Sequence, residues 1–200
     1  PLEQLPLKVA EWISDRTERI SDRANKSMSK DAYILNRFDN EINRITENTD
    51  INNPKLLESS KNNIDRIYKK YSEKHPQLIE DMDISYENYN NYFDKTLNNI
   101  TLYNSNKHVA TNLEKEQGDI IERLSQLQAR DVADPEKLIS EKNKLLDFYR
   151  KLSSLKSNLG KFKGLEGVED YTSKILNMKS AHSGIMENLN ILNINIFNIL

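Results

Sequence analysis

Apolar residues return at steps of three and four through the last third of the chain, and that rhythm narrows the fold more than any other feature. From Glu141 to Phe162 the row is Leu145, Phe148, Leu152, Leu155, Leu159 and Phe162. After a break at Gly164 and Gly167 it restarts at Val168, Tyr171, Ile175, Met178, His182, Ile185, Leu189, Leu192, Ile196 and Ile199. Each row is one face of a helix. A seam that repeats about every 3.5 residues must be covered by other helices. The spacing therefore predicts an all-α fold, an elongated bundle of long antiparallel helices forming one domain over residues 1–200. It also predicts that the final two helical segments lie lengthwise against the opening one.

Composition agrees with thin seams rather than a deep core. Apolar residues make up 36% of the 200 positions and charged residues 30%, so much of each helix must face solvent. The formal net charge is −2, too small for a global field that would gather nucleic acid or an anionic membrane. Lysines do cluster, at Lys69, Lys70 and Lys74 and again at Lys151, Lys156, Lys161 and Lys163. Acidic residues are interspersed along the same helices, so these clusters read as solvated faces. The absence of cysteine removes disulfides, thiolate metal sites and a cysteine nucleophile. No run approaches the ~18 apolar residues of a membrane span, and no signal peptide leads the chain. With no initiating methionine, the chain reads as a piece of a larger soluble protein. Asparagine doublets such as Asn62-Asn63 and Asn90-Asn91 read as compositional bias.

Taken in order, the chain opens on Pro1 to Pro6, an extended lead-in, because proline restrains its predecessor from helix. A first helix should follow, with Val9, Ile13, Ile20, Ala24 and Met28 continuing into Leu35, Phe38, Ile42 and Ile45. Trp12 sits beside that face. Asn48 to Pro54 is a turn signal. A second helix from about Lys55 carries Leu57, Ile64, Ile67, Tyr71, Leu78, Met82, Tyr86, Tyr89, Phe93, Leu97 and Ile100, with a kink or short break at Pro76. Four aromatics fall between Tyr86 and Phe93. Glu87 and Asp94 beside them would repel phosphate, so they read as packing residues and not as a base-stacking platform. Periodicity weakens from Leu102 to Lys107. A third helix is predicted from His108 through Val109, Leu113, Ile120, Leu124 and Leu127, a fourth over about Pro135 to Lys161 with Asp134 as its N-cap, and a fifth after the glycines.

The sequence holds no catalytic constellation. His75, His108 and His182 are far apart and none has metal-ligand spacing. Gly160, Gly164 and Gly167 follow no strand and lack a Gly-Lys-Ser/Thr step, so they read as a connector. Carboxylate pairs such as Asp81 and Asp83, or Glu114 and Glu116, stand two apart on helices and face different ways. The expectation is no enzyme, no metal and no cofactor. His182 is the one polar group in the strongest row, and it reads as a boundary histidine satisfied by water or a neighbouring side chain.

Several stretches carry a resemblance. Asn112-Leu-Glu-Lys-Glu-Gln-Gly-Asp-Ile-Ile121, Lys144-Leu-Leu-Asp-Phe-Tyr-Arg-Lys-Leu152, Ser157-Asn-Leu159 and Leu165-Glu-Gly-Val-Glu-Asp-Tyr-Thr-Ser-Lys-Ile-Leu176 resemble, in that order, the C-terminal helices of the V domain in the ALIX and PalA family of Bro-domain adaptors. Leu5-Pro-Leu7, followed by Arg16-Thr-Glu-Arg19 and Arg23, is similar to the start of that domain. The two ends, about half the chain, carry the likeness. The family's domain is longer, which implies a shortened arm or a segment missing around Leu102 to Lys107.

The resemblance implies a non-enzymatic, cytoplasmic adaptor recruited to endosomes, monomeric in isolation. It would bind Tyr-Pro-x-Leu peptides, ubiquitin or both, in ESCRT-linked sorting or the fungal alkaline-pH signalling branch. The implied peptide-binding residues are Met178, His182, Ile185 and Leu189, with Ala181 or His182 where the family usually has an aromatic. The implied ubiquitin-binding residues are Leu5, Leu7, Val9 and Trp12. The seams alone support a second possibility, a structural coiled-coil spacer or oligomerisation module without a peptide pocket. A third, a curved membrane-binding bundle of the BAR type, requires a concave basic face that the near-neutral charge disfavours.

Overall fold

The computed structural model describes the backbone at Asp15, Glu18, Arg19, 30–128 and 135–199, with side chains described within 30–126 and 136–188 besides those first three. Among these residues every regular element is helical: α1 (Lys30–Asn48), α2 (Pro54–Lys74), α3 (Ile79–Gln128), α4 (Pro135–Ser157) and α5 (Val168–Ile199). Short 3₁₀ turns stand at Pro76–Leu78 and Leu159–Phe162. The all-α expectation is met. Val9, Ile13, Ile20, Ala24 and Met28, the lead-in and the Asp134 cap lie outside the described residues.

The α1–α2 turn forms where Asn, Asp and Pro demanded it. Asp50 accepts from the Asn52 main-chain N–H at 2.9 Å, and the Asn53 side chain caps α2 by accepting from the N–H groups of Lys55 and Leu56. Pro54 occupies the first helical turn, where its missing N–H leaves no bond unmade. At the other end, the His75 N–H closes α2 on the Tyr71 carbonyl at 2.9 Å. Pro76 then opens a separate turn, so the expected disturbance there is a short break.

The chain divides into two compact units at Thr101/Leu102. In the first, α1 and α2 are antiparallel: Thr49 and Ser60 share a hydroxyl hydrogen bond of 2.6 Å near the turn, while the Tyr71 hydroxyl donates to Glu41 at 2.7 Å farther along. The Phe38 and Tyr71 rings meet edge to face at 5.4 Å. α2 and the start of α3 are antiparallel as well, joined by Tyr86 donating to Asp65 at 2.6 Å, Tyr68 donating to Asp83 and the Lys61–Asp94 ion pair. Leu35, Phe38, Ile42, Leu57, Ile64, Met82, Tyr89 and Phe93 are buried. The aromatics between Tyr86 and Phe93 are packing residues: Tyr89, Tyr92 and Phe93 are buried, and Tyr86 stacks on Tyr68 at 4.2 Å.

α3 is one helix of 50 residues, which corrects the expected weak point at Leu102 to Lys107. The row continues through that stretch as Ile100, Tyr103, Asn106, Ala110, Leu113, Gln117, Ile120 and Leu124, all buried. Its period is intact. Two of its members are amides and one is an alanine, so a scan for large aliphatic residues passes over it. Val109, expected in the seam, is 36% exposed.

The second unit is built from the rest of α3 with α4 and α5. α4 runs antiparallel to α3, since Arg123 pairs with Glu141 and Glu116 with Lys151. It is antiparallel to α5 too, with Phe148 and Tyr149 against His182. α5 is parallel to α3: the Tyr103 hydroxyl donates to the Glu166 carbonyl at 2.9 Å and the Gln117 amide to the Met178 carbonyl at 2.9 Å. The seam of the last two helices is thus packed against α3, and most of the opening helix expected in that role lies outside the described residues. Between α4 and α5 the connector turns on Gly164 and Gly167, with φ of 86° and 76°. Only residues without a Cβ take such angles readily, which accounts for the glycines without any ligand.

Candidate functional site

The row proposed for recognition lies on α5. Tyr171, Ile175, Met178, His182 and Ile185 are all buried, so the structure brings three of the four expected peptide-binding residues onto one inward-facing stripe. Leu189 falls beyond the described side chains, as do Leu5, Leu7, Val9 and Trp12 expected for ubiquitin. Ile185 joins Ile120, Leu124, Leu138 and Leu145 in one apolar cluster, with Met186 against it. Met178, at 3% exposure, offers mainly its carbonyl, which is taken by Gln117.

His182 occupies a flat slot. Its ring stacks on Phe148 at 5.8 Å and on Tyr149 at 5.1 Å, with interplanar angles of 24° and 25°. Burial pushes its pKa down, because no carboxylate repays the lost hydration of the imidazolium. Its Nδ1 has no hydrogen-bond partner among the described residues. The ring is a packing element of the seam.

Among the described residues, open grooves flank these helices. Between α3 and α4, Glu116, Glu136 and Asp147 line one of about 490 Å³ together with Lys144. Between α3 and α5, Glu114, Asp170, Lys174, Met178 and Ala181 line another of about 580 Å³. The third, about 330 Å³ between α4 and α5, is lined by Tyr149, Leu152, Ser153, Lys156, Ser157, Ile175 and Lys179, with no carboxylate. Lys156 and Lys179 both line it, and a side-chain hydrogen bond with Lys179, followed by its charge, pushes the Lys156 pKa down.

Among the described residues the carboxylates of Asp39 and Glu141 are buried, one in each unit. Glu141, only 5% exposed, takes a two-pronged contact from Arg123 at 2.7 and 3.3 Å, with Lys144 at 3.5 Å. Those hydrogen bonds push the Arg123 pKa up. With every partner satisfied inside the α3–α4 contact, the pair sets helix register. Among the described residues no group of three or more His, Asp or Glu is placed to hold a metal ion. His108 is exposed and His75 half-buried, each in a different unit.

The basic groove escaped sequence reasoning, although a signal existed. Residues 148–165 and 171–186 contain no Asp or Glu, while they carry Arg150, Lys151, Lys156, Lys161, Lys163, Lys174 and Lys179. The acids that made the clusters look balanced lie elsewhere on the helices. Which two stretches face each other is a tertiary fact.

No protein-family model matches the chain, and the comparisons found no matching curated protein or solved structure.

Proposed function

We propose that the chain is a non-enzymatic scaffold segment, a helical spacer in which α3 serves two helix units in succession. The observation that carries this is the unbroken buried row of α3 from Ile100 to Leu124 across the Thr101/Leu102 division. α3 thereby supplies a buried face to each packing unit in turn. The inward direction of Met178, His182 and Ile185 supports the same conclusion, since residues that fill a seam are not free to grip a peptide. Among the described residues no helix is long and apolar enough to cross a membrane.

The adaptor role implied by the resemblance is a second possibility, supported by one feature of the site. Met178 and Ala181 line the open α3–α5 groove. In that role the segment would work in the cytoplasm at endosomes, taking Tyr-Pro-x-Leu peptides there and ubiquitin on its opening helix. A peptide that used the deeper residues would have to displace α3 or α4, at a cost of several buried side chains worth about 1.5–3 kcal/mol each.

Titration separates the two. Labelled Tyr-Pro-x-Leu peptide and ubiquitin are added to the 200-residue chain while its sedimentation is followed. A spacer with internally covered seams sediments as a monomer and shows no saturable shift with either ligand. Saturable binding of either one, lost in Met178→Asp for the peptide, contradicts the spacer and supports the adaptor.

A further inference from the structure

The α4–α5 groove stands apart from the other two in its charge. Its two facing helix stretches, residues 148–157 of α4 and 171–186 of α5, contain no acidic residue in a chain whose net charge is −2. Of their cations, Lys151 pairs with Glu116 and Asp147, and Lys174 with Glu114. Lys156 and Lys179 form no ion pair among the described residues, and both line the groove. Two like charges brought together on neighbouring helices repel one another, so a site that keeps them without an acid is poised to gain from an anion. Tyr149 lies at the same groove, 46% exposed, its ring held in place by stacking on His182. A fixed aromatic face beside paired ammonium groups suits a ligand that is apolar and anionic at adjacent points.

We propose that the α4–α5 groove is a docking site for an acidic peptide segment of a partner protein, whose carboxylates pair with Lys156 and Lys179 while a neighbouring apolar side chain lies on Tyr149. The space, about 330 Å³ between two antiparallel helices, admits side chains of an extended segment. A bilayer needs a broad cationic face, and a chain of net charge −2 has no overall positive field to hold one. The site uses outward-facing residues alone and does not depend on the spacer role.

The test compares labelled Asp-Asp-Leu-Asp-Asp and Ser-Ser-Leu-Ser-Ser peptides on the 200-residue chain, on K156E/K179E and on K156Q/K179Q, with helicity followed by circular dichroism. The acidic peptide is expected to bind saturably, to weaken as salt is raised, and to lose at least about tenfold in affinity in the charge-reversed variant with the glutamine variant between. Binding should shift the amide resonances of Ser153, Lys156, Ile175 and Lys179. Equal binding of the two peptides, equal binding by all three proteins, or no saturable binding overturns the proposal. So does co-sedimentation with phosphatidylserine vesicles that K156E/K179E abolishes while peptide binding is absent, since the occupant is then a membrane.

Discussion

The Gln117 side-chain amide on α3 donates to the Met178 main-chain carbonyl on α5 at 2.9 Å, and both residues are buried. With the Tyr103 to Glu166 bond it holds the parallel register of the two helices, because a slip of either by a turn strands the amide in an apolar seam. Gln117→Ala removes the bond and leaves space, so a loss of about 1–3 kcal/mol is expected. Gln117→Leu fills the space and should lose less. Urea midpoints of the two variants check the order.

Arg123 and Glu141 should behave as a unit. Arg123→Ala leaves the buried Glu141 carboxylate without its two-pronged partner, a destabilisation of about 1–3 kcal/mol. Replacing both by leucine removes the desolvated charge as well and should recover most of the loss. A double-mutant cycle by denaturant unfolding measures the coupling, and additive effects would show that Lys144 alone suffices for Glu141.

Acidification should weaken the second unit through His182. Its folded pKa is depressed by burial, so the unfolded chain binds the proton first. Stability is therefore full above the unfolded value of about 6.5 and falls as pH drops from there toward the folded value. His182→Phe keeps the stacking with Phe148 and Tyr149 and removes the titration. Unfolding midpoints between neutral and mildly acidic pH should fall less steeply in the variant; an unchanged slope would place the titrating group elsewhere.

At the alkaline end the first unit should respond. Tyr71 is pushed up to about 12, by burial first and by its bond to Glu41 second. Tyr86 is also pushed up to about 12, chiefly by its bond to Asp65. A raised folded pKa gives stability that is complete below the unfolded value of about 10 and lost as pH climbs through the folded one. Tyr71→Phe should lower neutral-pH stability by about 0.5–1.5 kcal/mol and flatten the alkaline loss, read by thermal melts at stepped pH.

The connector glycines are not equivalent. Gly167 has φ of +76°, and a Cβ there would meet the Tyr103 hydroxyl at 3.5 Å, so Gly167→Ala should lose about 1–2 kcal/mol from backbone strain. Gly160 sits in a 3₁₀ turn with open space around it, and Gly160→Ala should be neutral or mildly stabilising. Melting temperatures of the two variants check the order.

Much of this was legible because rows of Leu, Ile, Phe and Tyr at helical spacing leave few alternatives to buried helix faces. The rows of α4 and α5, the turn at Asn53-Pro54 and the break at Pro76 all follow from local chemistry. The continuity of α3 did not, since Asn106, Ala110 and Gln117 hold seam positions without large apolar groups. Nor did the pairing of segments: a periodic row states that something covers it, and α3 as the cover is set by registers such as Gln117 to Met178. The basic groove lay beyond reach for the same reason, because Lys156 and Lys179 meet only once α4 turns back on the glycines. The residues implied by family resemblance, Met178, His182 and Ile185, share a face as their spacing demands, and spacing alone does not say which way it points.

The central claim is that α3 is one helix through the junction, and amide hydrogen exchange across residues 100–108 tests it most directly. Protection of Ile100, Tyr103 and Asn106 comparable to that of Leu113 and Ile120, with no gap between, is the predicted result. Exchange of that stretch at the rate of an unstructured peptide while both flanks stay protected would contradict it.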